Sequence, residues 1–93
     1  MNEILERNSF LVTAGHVSED VLIETIDEVL STLGESVKAS IYYHLEKTME
    51  IKKQEIPFKI VKFQSALEKI FGETGAKCIE KQLIKQLKKK PIL

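Results

Sequence analysis

The stretch that most constrains this chain runs from Ile56 to Gly72, IPFKIVKFQSALEKIFG. Ile56, Ile60, Phe63, Leu67, Ile70 and Phe71 recur at offsets of four, three, four, three and one. An α-helix sets all six on one stripe. Pro57 falls in the first turn, where a missing N–H does no harm, and Gly72 falls where a left-handed C-cap is wanted. A helix with a single apolar stripe gains most of its stability by packing that stripe on something else, so the chain must supply partners.

Partners are visible on both sides. Ser18 is placed to cap a helix whose first turn holds Glu19 and Asp20, where the helix dipole favours negative charge. Its stripe is Leu22, Ile26, Val29, Leu30 and Leu33, and Gly34 ends it. Ser36 is the best cap for a second helix reaching Met49 or Glu50. Val37, Ile41, Leu45 and Thr48 share one face of it with Ser40 and His44. Ile51 to Glu55 must turn into the central helix, and IKKQE is a candidate for a short helical turn of its own. After Gly72, Thr74 is a natural cap for a last helix with Ala76, Ile79, Leu83 and Leu87 inward, closed by Lys88, Lys89, Lys90 and Pro91. The expectation is an all-α fold: a small antiparallel bundle of about four helices over residues 18–90. Residues 1–17 read as an N-terminal arm, because NSFLVTAGHV is rich in strand and loop formers and Gly15 interrupts it. An extended, docked arm is one expectation for it.

Ninety-three residues make one domain with a modest core. Apolar residues at 43% are too many for wholesale disorder, while six prolines and glycines together are too few for a many-turned β fold. No apolar run approaches a membrane span, and a single cysteine, Cys78, suits a reducing compartment, so the expected address is cytoplasmic. The zero net charge conceals an asymmetry. Residues 1–35 hold eight acids against one base, net −7, and residues 36–93 hold thirteen lysines against six acids, net +7. Either the acidic first helix lies beside basic later ones, or the molecule has an acidic and a basic side available for charge-steered association.

The order LGESVKASIYYHLEK, IKKQEIP and FQSALEKIFGETGAKCIEKQLIKQL resembles the Nitrosopumilus output domain family, small archaeal domains found alone or attached to signalling modules. The positions that carry the likeness are Leu33, Gly34, Glu35, Ser36, Ile41, Leu45, Glu46, Ile56, Pro57, Phe63, Leu67, Phe71 and Gly72. It spans roughly residues 26–87, about two-thirds of the chain, and leaves out the N-terminal arm. The resemblance implies an archaeal source and a role as a signalling-output or interaction module. These are capping and core positions, so it implies a fold more than a chemistry and brings no catalytic residues with it.

The chemistry-bearing residues do not converge in sequence. His44 has Ser40 and Thr48 a turn away rather than a second ligand, and His16 lies in the arm. No HExxH, CxxC or carboxylate-plus-His spacing occurs, so neither a metal nor a cofactor is expected. Cys78 lies among Gln82, Lys85 and Lys89 on the flank of the last helix, and an adjacent lysine activates a thiol only within a few ångströms. Glu19 and Asp20 are explained by helix stabilisation. The reading is therefore a non-enzymatic protein. Phe58 and Val61 project opposite the central stripe and Tyr43 projects away from its own, which marks them as candidate protein-binding residues for another protein or for a second copy in a homodimer. The other account of Phe58 and Val61 is that the N-terminal arm covers them, in the same chain or swapped onto a partner. The alternative function is weak, non-sequence-specific nucleic-acid binding through Lys81, Lys85, Lys88, Lys89 and Lys90. Residues 77–90 carry a net +5, but no aromatic residue interleaves for base stacking.

Overall fold

A computed structural model describes residues 9–92 of the chain, and every described element is helical. Five helical elements appear where the pattern suggested four. Residues 9–14 form α1, followed by α2 (Glu19–Ser31) and α3 (Glu35–Met49). A 3-10 helix (Lys53–Phe58) then leads into the long α4 (Ile60–Leu87).

The first difference lies in the arm. Residues 9–14 are helical rather than extended, and the reading of residues 1–8 falls outside the described region. Phe10, Ala14 and Val17 follow a spacing of four and three, and all three are buried in the common core. Strand-favouring Phe, Leu, Val and Thr are overruled here because a helical turn buries Phe10 completely. The Gly15 N–H returns to the carbonyls of Leu11 and Val12 and closes the turn.

Ser18 caps α2 as its sequence position suggests, its hydroxyl accepting from the Val21 N–H at 3.2 Å. α2 buries Leu22, Thr25, Ile26, Val29 and Leu30. Leu33, read as the end of that stripe, lies beyond the helix and is 41% exposed. The turn at 32–34 ends at Gly34, whose φ of 109° suits only glycine, and α3 begins at the next residue. Ser36 is therefore already inside α3 rather than at its cap. The inward face of α3 is also narrower than the pattern suggested: Ile41 and Leu45 are buried, but Ser40 and Thr48 are exposed. Glu50 closes the helix in a left-handed conformation, and the Ile51 N–H returns to the Leu45 carbonyl. Ile51 itself is then 1% exposed, a core residue within the expected 51–55 connector.

The IKKQE turn expectation is met in part. The 3-10 helix starts at Lys53 and takes in Ile56, Pro57 and Phe58. The central helix therefore begins at Ile60 rather than Ile56, and Pro57 is not in its first turn. Glu55 locks its start by accepting from the Lys52 N–H at 2.8 Å, and that bond holds the Glu55 carboxyl below its ordinary range. α4 is two arms. Gly72 adopts φ 78° and ψ 174°, a positive φ as a capping glycine requires, but with extended ψ. The chain re-enters helix at once, so Thr74 is not a cap. Gly75 lets the arms meet closely, since a Cβ there would lie 2.7 Å from the Phe71 Cβ. Residues 60–71 bury Phe63, Gln64, Ala66 and Leu67, and residues 73–87 bury Ala76, Ile79, Glu80, Leu83 and Leu87. Ile70 turns partly to water, at 37% exposure. α2 is the hub, packing against α3, the 3-10 helix and α4. The radius of gyration, 12.2 Å, is that of a compact chain of this length.

Candidate functional site

Polar and charged side chains gather at one place, on the C-terminal half of α2, and the sequence reading missed it. Asp27 sits among three donors from two other elements. Its Oδ1 accepts from Lys53 Nζ at 2.9 Å and from the Tyr42 hydroxyl at 3.1 Å, and its Oδ2 accepts from Lys38 Nζ at 3.4 Å. Lys38 also donates to Ser31 at 3.0 Å, and Lys53 lies 5.2 Å from the centre of the Tyr42 ring. The Lys53 ammonium lowers the Asp27 pKa against a partial desolvation cost. Burial first, then the Asp27 charge, pushes the Tyr42 phenol well above its ordinary value. Glu35 and then Asp27 raise Lys38. One residue further along α2, Glu28 accepts from Lys90 Nζ at 3.0 Å. These contacts cross-link α2 to α3, to the 3-10 helix and to the end of α4. All the partners are spoken for, and the arrangement presents a brace rather than a reactive centre. The sequence signal was available: Asp27 sits one residue past Ile26 on the stripe's edge, and Tyr42 stands next to Ile41.

At the other end of α2 lies an open groove with both apolar and acidic lining. Leu11, Ala14 and Val17 from the α1 region, Leu22 from α2, and Pro57 and Ile60 from the 3-10 helix and α4 line a groove of about 570 Å³. Glu19 and Asp20 form part of its wall, both exposed. Among the described residues neither carboxylate has an ion-pair or hydrogen-bond partner. Phe58 and Val61 alternate along the chain with the groove residues Pro57 and Ile60, and they are 69% and 62% exposed. Val12, next to Leu11, is 60% exposed. Two of the three expected binding residues thus come from the segment that builds one groove wall. Tyr43 is 66% exposed on α3, outside the groove lining, with Lys47 Nζ 6.0 Å from its ring centre.

The five lysines differ in their surroundings. Lys90 is held by Glu28, and Lys81 has an interaction partner. Lys85 is exposed on the face of α4 opposite Ile79, Leu83 and Leu87, and Lys88 and Lys89 are exposed in the turn that follows α4. His44 is half-buried, and its Nε2 makes no hydrogen bond among the described residues. His16 and Cys78 are exposed. Among the described residues no three His, Cys, Asp or Glu side chains come together as a metal site. No helix among them is long and apolar enough to cross a membrane. Comparison with family models, with characterised proteins and with solved structures found no significant match.

Proposed function

We propose that the protein is a non-enzymatic protein–protein interaction or signalling-output module of an archaeal cell, working in the cytoplasm. Its partner is another protein, with a second copy of the chain, in a homodimer, as the first candidate. The observation that carries this reading is the open apolar groove beside the exposed Phe58 and Val61. Large exposed apolar side chains on a small domain are stabilised when another protein covers them. The helices are the scaffold, with neighbours running antiparallel through short links such as 32–34. The resemblance to the Nitrosopumilus output domain family supports the signalling role. The test is association of the full chain, followed by light scattering, against the Phe58→Ser/Val61→Ser variant. Loss of association with an unchanged melting temperature supports the reading, and unchanged association contradicts it.

A second reading is weak nucleic-acid binding through Lys81, Lys85, Lys88, Lys89 and Lys90, favoured by the exposure of Lys85, Lys88 and Lys89 at the end of α4. It requires affinity that falls steeply with salt and disappears when those lysines are neutralised.

A further inference from the structure

The groove at the N-terminal end of α2 has an apolar floor and an acidic edge, and the chain carries a segment of the opposite character. Residues 88–92, KKKPI, combine three lysines with an isoleucine that is 73% exposed. Lys88 and Lys89 are exposed and make no ion pair among the described residues, whereas Lys90 is anchored to Glu28. Lys90 ties the segment to Glu28 of its own chain, and the groove of a second copy offers Lys88 and Lys89 two carboxylates and Ile92 an apolar floor.

We propose that the groove is the docking site for residues 88–92 of a second copy of this chain. Ile92 enters the floor formed by Leu11, Ala14, Val17, Leu22, Pro57 and Ile60, and Lys88 and Lys89 meet Glu19 and Asp20 on the edge. The inference rests on the interaction reading above and names its partner. Groove and segment are different surfaces, so the contact is head-to-tail: each dimer keeps one groove and one segment free, and growth continues unless a ring closes. Five residues bury less than the roughly 1,200 Å² of a standard interface, which makes the contact weak and concentration-dependent. Its charge pairs lie at the exposed edge, so salt loosens it.

Sedimentation equilibrium of the full chain up to about 1 mM, the range of weak association, tests this with four variants whose changes lie on exposed side chains. Ile92→Asp, Lys88→Glu/Lys89→Glu and Glu19→Lys/Asp20→Lys are each expected to weaken association by about tenfold or more. The decisive arm mixes the two charge-reversed proteins. Each is defective alone, but together they regenerate one native and one reversed contact, and the expected result is association close to that of the parent. Phe58→Ser/Val61→Ser separates the two levels of the argument. If it abolishes association while the Ile92 and lysine variants do not, the apolar surface is an interface but the segment is not its occupant. If none of the four changes association, both readings fall. A parent chain that stays monomeric throughout, or a mixture that fails to recover, overturns the docking proposal.

Discussion

The two ends of α2 use the same residue types to opposite purpose. Near its C-terminus, Asp27 and Glu28 are consumed by Lys38, Lys53, Tyr42 and Lys90, and each contact crosses to another element. Near its N-terminus, Glu19 and Asp20 stand at the mouth of an apolar groove without such partners among the described residues. The difference shows how the charge asymmetry of the sequence is resolved. Part of the acidic helix is neutralised within the monomer, as one expectation held, and Glu19 and Asp20 remain exposed. The paired end ties α2 to its neighbours, and the unpaired end is the one the interaction proposal uses.

Substitutions sharpen this contrast in order of expected size. The largest loss belongs to the core that both ends share. Phe63→Ala or Leu67→Ala, at fully buried positions, should cost about 2–5 kcal/mol, read as a fall in the denaturant midpoint. Next comes the brace. Asp27→Ala leaves three donors around an empty place and should cost about 1–3 kcal/mol. Gly72→Ala, forced into φ 78° and ψ 174°, should cost a similar about 1–3 kcal/mol. At the open end, Glu19→Gln/Asp20→Asn removes only the interaction with the helix dipole, about 0.3–1 kcal/mol for each charge. A stability loss at Glu19 and Asp20 as large as that at Asp27 would erase the distinction.

Titration probes the braced end. Asp27 has a lowered pKa in the folded chain, so its contribution is fully present above its unfolded value of about 3.9 and is lost as pH falls through the folded value. Tyr42 is raised, so its contribution is present below an unfolded value of about 10 and is lost as pH climbs through the folded one. Melting temperature against pH should therefore fall at both extremes. Asp27→Asn should flatten the acid limb and Tyr42→Phe the alkaline one.

Much of the scaffold was legible because helical spacing is a local signal. Ser18, Gly34, Gly72 and the stripes of α2 and α4 could be placed by counting residues. What escaped was settled by tertiary partners. Phe10 looked like part of a strand until a bundle was there to receive it, and Ile51 looked like linker until the left-handed turn at Glu50 folded it inward. Ile70 and Leu33 carry the right periodicity but sit where helices bend or end, so periodicity alone overcounts. The exposure of Phe58, Val61 and Tyr43 followed from their opposition to the stripes. The groove beside the first two did not, since its walls come from segments some forty residues apart, Leu11 to Leu22 and Pro57 to Ile60. The Asp27 cluster was hidden for the same reason: Lys53 lies 26 residues away along the chain.

The central claim is that the open end of α2 binds while the braced end holds the fold. Sedimentation and thermal melting of Phe58→Ser/Val61→Ser beside the parent test it most directly. The account predicts that self-association is lost while the melting temperature stays within about 2 °C of the parent, a shift worth under about 0.5 kcal/mol for a domain of this size. Undiminished association, or a variant that unfolds, would contradict it.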